Sequence, residues 1–276
     1  MNMNIKQLVL SAALITASLT TQAGVVIEYV TRNATSGKEQ PLQTMWIQNG
    51  IARMEATRGQ ATSAAIFKDE AMFVLDNNTK SYTVMDKATM EQTAAMMNDA
   101  MAKMREQMAK MPPDQRAMME QMMKKQGGTM GGAMTGGAPQ KPVAYDAQPA
   151  SGSETIDGKA CKLWNVKRDG VLSQQLCVAP MSALPGADEV IALSKKMTAL
   201  FEKLGQQMRD QMPNTQQSST TLAKINGYPI MTRVYRDGVL QPDQYVVKSW
   251  KQQPIEASQF EIPAGYTKKE MPKIPR

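Results

Sequence analysis

The sequence predicts an α+β protein: an antiparallel sheet in two parts, separated by a methionine-rich helical-hairpin insertion. Three observations lead there. Turn signals recur about every ten residues through residues 24–84, the spacing of a β-meander. Composition then changes abruptly, and residues 85–134 hold 14 of the 23 methionines that follow residue 23. A second strand-rich stretch comes after, with the only two cysteines, Cys161 and Cys177.

The chain begins with an address. Lys6 supplies a positive start, Leu8 to Leu19 an apolar run, and Thr21-Gln22-Ala23 a small-x-small cleavage site. Residues 1–23 read as a signal peptide, and the expected location is the periplasm of a Gram-negative bacterium. No second apolar run long enough to span a bilayer follows, so no transmembrane segment is expected after cleavage. Export removes nucleic acid from the expected partners. The net charge is +7, and +6 without Lys6.

Residues 24–84 form the first part of the sheet. Strands are expected at Val25–Val30, Leu42–Gln48 and Ile51–Ala56, the last two joined by Asn49-Gly50, a strong hairpin signal. Ala64–Phe67, Met72–Leu75 and Ser81–Val84 continue the meander, with Asp69 and Glu70 in a turn.

Residues 85–125 form the insertion. Met90, Ala94, Met97, Met101, Met104, Met108 and Met111 follow a 4-3-4-3 rhythm, a narrow apolar stripe on one helix. Pro112-Pro113-Asp114 breaks it and starts a second helix with Met118, Met119, Met122 and Met123. Residues 126–142 read as a Gly- and Pro-rich flexible linker.

Residues 143–276 return to the sheet, with strand structure resuming at about Ser153. In an exported protein two cysteines suggest a structural disulfide. Reading Arg168-Asp169-Gly170 as a three-residue turn sets Lys167 opposite Val171 and Cys161 directly opposite Cys177. A helix near 187–208 has an amphipathic face from Val190, Leu193, Met197, Leu200, Phe201, Leu204 and Met208, with Asp188 and Glu189 in its first turn. Strands at Thr221–Ile225, Tyr228–Tyr235 and Val239–Lys251 complete the chain. Ile156-Asp157-Gly158 with Arg168-Asp169-Gly170-Val171-Leu172 is echoed by Ile225-Asn226-Gly227 with Arg236-Asp237-Gly238-Val239-Leu240, two similar hairpins in one sheet.

Three features together carry a resemblance: the meander Met45-Trp46-Ile47-Gln48-Asn49-Gly50-Ile51-Ala52-Arg53-Met54-Glu55, the twice-used Ile-x-Gly, and the closing Phe260-Glu261-Ile262-Pro263-Ala264-Gly265-Tyr266. Over roughly residues 24–84 and 150–270 the chain resembles an uncharacterised periplasmic branch of the LolA/LolB-like superfamily of lipoprotein carriers. The resemblance implies a strongly curved, unclosed antiparallel barrel with helices on its concave face. It also implies an apolar cavity for a ligand, lipid or lipoprotein segment. The resemblance assigns no numbered functional residue; Arg53, on an early strand, stands where a polar mouth residue is expected.

Function is read from what is missing and from the methionines. The chain has no His, which removes Ser-His-Asp and Cys-His catalysis and imidazole metal sites. It has no Gly-rich phosphate loop and no Gly-x-Ser-x-Gly, so neither an enzyme nor a cofactor is expected. The methionines have three readings. They are flexible apolar filler; or an adaptable ligand or lid surface, with Met97, Met101, Met104, Met108 and Met111 as its candidates; or a soft-metal or oxidant-buffering site. For Cu(I) or Ag(I) the candidate ligands are Met101, Met104, Met108, Met111, Met119 and Met122. The expected function is a soluble periplasmic binding or chaperone-like protein for an apolar ligand or protein or lipid segment. The alternatives are a Cu(I)/Ag(I) or oxidant-buffering protein, and a structural protein with an envelope protein as partner and no small ligand.

Overall fold

The computed structural model describes residues 23–58, 61–112, 114–115, 144–208 and 225–270. The signal peptide, the second helix of the insertion with Met119 and Met122, the linker 126–142 and a strand at 221–224 were expected in residues outside that set.

Among the described residues twelve strands form one sheet. In chain order they are β1 Gly24–Asn33, β2 Glu39–Gln48, β3 Ile51–Arg58, β4 Ala61–Lys68, β5 Ala71–Asp76, β6 Ser81–Met85, β7 Tyr145–Ile156, β8 Lys159–Arg168, β9 Val171–Ala179, β10 Tyr228–Arg236, β11 Val239–Gln253 and β12 Thr267–Lys268. Among the described residues two α-helices join them, α1 Lys87–Lys110 and α2 Ala187–Met208. The spatial order is β12-β6-β5-β4-β3-β2-β1-β11-β10-β9-β8-β7, antiparallel except for the β12–β6 pair. Two different strands end the series, so the sheet is unclosed.

Two-residue turns set five of the hairpin registers. Asn49-Gly50, Asp69-Glu70, Asp157-Gly158, Asp169-Gly170 and Asp237-Gly238 all have φ between 44° and 83° at both positions. That left-handed pair is the turn whose twist matches paired strands.

The sheet curls on the β7–β11 side. Four strand spacings separate β1 from β8, about 19 Å in a flat sheet. Yet Arg32 on β1 donates to Asp157 at the β7–β8 turn at 2.7 Å. Register shifts between Glu28 and Tyr29, between Tyr29 and Val30, and between Pro229 and Met231 lie along this side. Such irregularities raise local twist and bend strands. The concave side carries the main core: Val25, Ile27, Ile47, Phe67, Ile156, both cysteines and Trp250.

Helix α2 lies on that side, against β1 and β2, burying Ala187 and Leu193. The approach is close: at Gly186, φ 68°, an added Cβ would stand 2.7 Å from Val25 Cγ2. Trp250 Nε1 donates to the Pro185 carbonyl at 2.8 Å, and Lys196 Nζ to that of Asn49 at 3.3 Å. Helix α1 is capped by Asp86, which accepts from the Thr89 amide at 2.7 Å and its hydroxyl at 2.6 Å. It leaves β6 and reaches α2, so it lies on the same side of the sheet.

Two expectations need correction. Strand β7 begins at Tyr145, eight residues before Ser153. Pro149 and Gly152 break its alternation, and the register shifts between Pro149 and Ser153; proline is tolerated because β7 is an edge strand. The cysteine hairpin also has a different register. Its turn has two residues, Asp169-Gly170, with Arg168 opposite Val171. A shift between Val166 and Lys167 then adds a second residue of offset, which sets Leu163, not Cys161, opposite Cys177. One residue of offset would turn the cysteines to opposite faces; two returns them to one face as a diagonal pair. Their Cα atoms are 5.3 Å apart and the sulfurs are bridged.

Candidate functional site

Strands β3 to β6 have two faces of different chemistry. On the convex side Ala64, Ile66 and Leu75 are buried, with Phe73 and Tyr82 packed beside them. The C-terminal segment lies over them through Ile262 and Tyr266. Arg53 holds this strap. Only 7% of it is exposed, and its Nη1 donates to the Gln259 and Glu261 carbonyls at 3.3 Å each. Its other guanidinium nitrogens reach Glu55. Lys68–Glu261 and Tyr266–Asn77, both 2.7 Å, and the β12–β6 pair secure the rest. Arg53 is therefore not at a mouth on the concave face: it opposes Ile66 in register and points with it to the strap side.

The concave side of the same strands carries methionine. Met45 on β2 opposes Met54 on β3; Ala52 opposes Phe67, Phe67 opposes Met72, and Met72 opposes Met85. Residues paired across strands share a face, as do i and i+2, and none of these four pairings has a register shift. Every methionine of β2 to β6 thus points to the concave side, and all four are half-buried. Val74 in the adjoining row is 37% exposed. Cover thins from β1–β2, where α2 sits and Ile27 and Ile47 are fully buried, toward β5 and β6.

At the curled end the face becomes aromatic and then polar. The Tyr29 and Tyr228 hydroxyls are hydrogen-bonded to each other, and Tyr228 stands edge-on to Trp250 with ring centres 5.0 Å apart. Burial pushes both phenols above their ordinary value of 10.0. Beyond the disulfide, Arg233 makes a two-pronged bond to Glu154 at 2.9 and 3.0 Å and donates to Gln175 at 2.9 Å. A small cavity of about 250 Å³ lies where β1, β2, β3 and β11 meet, with Glu28, Tyr29, Thr44 and Lys248 in its lining.

The residues singled out from sequence divide as follows. Cys161 and Cys177 come together. Met97, Met101, Met104 and Met108 lie on α1, but their side chains fall outside the described set, and Met111 sits half-buried just past the helix end. The sheet methionines escaped the sequence reading, although one signal was present. Asn49-Gly50 as a two-residue turn puts Met45 opposite Met54 by counting outward. The Asp69-Glu70 turn lacks glycine, which hides the register that puts Met72 on the same face. Among the described residues no cluster of His, Cys, Asp and Glu is arranged to hold a metal ion, and no helix is long and apolar enough to cross a membrane.

No protein-family profile matches the sequence, and no curated protein matches it. Several solved structures align with it at low similarity. An uncharacterised conserved protein from Thermus thermophilus aligns over 90% of this chain and 91% of its own, at 7% identity and a TM-score of 0.41. The MucA/MucB complex of Pseudomonas aeruginosa and a structure of MucB alone each align at 9% identity and a TM-score of 0.36. This chain spans 56% and 58% of their lengths. At such scores these likenesses carry no functional argument.

Proposed function

We propose that this protein is a non-catalytic, exported binding protein that holds an apolar ligand or an apolar segment of a protein or lipid against its concave sheet face. The observation that carries the reading is the row of half-buried methionines with Val74, apolar side chains left with partial cover on one face of an open sheet. Unbranched thioether side chains repack around guests of different shape at low cost. The bridged cysteines and the leader-like first 23 residues favour an oxidising envelope compartment such as the periplasm. Curvature, open edges and a helix on the concave side also agree with the LolA/LolB-like resemblance, which is where the idea of an apolar guest gains its second support.

Titration with a fluorescent fatty acid and with an apolar peptide tests the reading. Val74→Asp puts a charge on the open part of the face and should weaken probe binding about ten-fold. Equal affinity in both proteins, or no binding to the unaltered one, would sink it. Opposed thioethers also suit Cu(I) and Ag(I). A silver titration of the same protein, with Met45, Met54, Met72 and Met85 all changed to Leu as the contrast, separates that second reading: metal affinity disappears with the sulfurs, whereas an apolar surface persists.

A further inference from the structure

The four sheet methionines have a second chemical property that the binding role does not use: each sulfur accepts one oxygen atom. Met45, Met54, Met72 and Met85 are paired across strands on one face, and all are half-buried, open enough for a small oxidant. Met231, by contrast, is 2% exposed within the core. The opposite face of β3 to β6 bears no methionine on those strands and takes Ile66, Leu75, Phe73 and Tyr82 instead. On β3 to β6 methionine is thus confined to the side where a guest would lie.

We propose that Met45, Met54, Met72 and Met85 form a methionine-sulfoxide modification site, addressed by two-electron oxidants such as hydrogen peroxide or hypochlorous acid, and that its oxidation turns the guest-binding face off. With peroxide the thioether sulfur attacks one peroxide oxygen. The O–O bond breaks, an S–O bond forms, sulfur is oxidised by two electrons, and the second oxygen leaves as water. The product is a strong dipole and hydrogen-bond acceptor where an apolar side chain stood. Left against an apolar guest it goes unsatisfied, which disfavours the complex. Reduction by a thiol-dependent methionine sulfoxide reductase consumes two thiols, forms one disulfide and one water, and returns the thioether.

The switch rests on the binding reading above; the modification site does not, and the experiment separates the two. The mature protein is treated with graded hydrogen peroxide, and each sample is divided between peptide mass mapping and titration with the fluorescent fatty acid. The four methionines should gain oxygen at least about ten-fold faster than Met231. Probe affinity should fall about ten-fold in step and return after treatment with the reductase and a thiol. A variant with all four changed to Leu should keep after peroxide whatever affinity it had before. Two results overturn the proposal: oxidation of the four no faster than Met231, or the same peroxide-induced loss in the four-Leu variant. If the untreated protein binds no probe, the binding reading fails, and the peptide map alone still decides the modification site.

Discussion

The two faces of β3 to β6 are built from the same strands and hold different materials. The convex face uses branched and aromatic side chains, Ile66, Leu75, Phe73 and Tyr82, beneath a strap that Arg53 secures. The concave face uses methionine and small residues around Phe67 and Val74, with cover that thins toward β6. Branched chains have few rotamers and specify one packing; methionine has three rotatable bonds and tolerates many. One face therefore reads as permanently closed and the other as able to repack.

The largest expected effect comes from deleting apolar volume on each face in turn. Ile66→Ala, at a fully buried site, should cost about 3–4 kcal/mol in urea unfolding, while Met72→Ala, half-exposed, should cost about 1 kcal/mol. Equal costs would erase the contrast. Next comes the strap. Arg53→Met keeps the bulk but leaves the Gln259 and Glu261 carbonyls without their donor. A loss of about 2 kcal/mol is expected, with faster amide exchange over residues 256–269 and unchanged exchange in β10 and β11.

The smallest effect sits where α1 begins. Hydrogen bonds from the Thr89 hydroxyl and amide hold the Asp86 carboxyl below its ordinary value of 3.8. A lowered value means that the capped state is favoured while the carboxyl is ionised. That stabilisation is present above pH 3.8 and disappears as pH falls through the lower folded value. Helicity should decline there more steeply than in Asp86→Ala, and the variant should lose about 1 kcal/mol or less at neutral pH.

How much was legible depended on the kind of signal. Asn49-Gly50, the strands around it and the amphipathic run from Ala187 to Met208 were readable because their signals are local. Turn chemistry and a 3.6-residue period need no distant partner. The cysteine pairing was readable, but its register was not. The count through Arg168-Asp169-Gly170 takes a two-residue turn for three and makes no allowance for the irregularity beside Val166 and Lys167. Strand β7 was hidden by Pro149 and Gly152, residues that argue against a strand until one knows it lies at an edge. Arg53 gave no sign of its task, because the carbonyls it serves lie more than 200 residues away in the chain.

The methionines divide along the same line. Their number, and the rhythm from Met90 to Met111, stand in the sequence and called attention to the insertion. That Met45, Met54, Met72 and Met85 share the concave face was decided by four successive strand registers. The sequence by itself determined the strand-and-turn alphabet, the amphipathic helix and a cysteine pair, since each depends on neighbours a few residues apart. Which side of the sheet is concave, which face the strap closes and which keeps soft, partly covered sulfur belonged to the tertiary structure. Those properties arise from pairings between strands far apart in the chain, and a one-residue slip in any of them would turn the methionines to the other side.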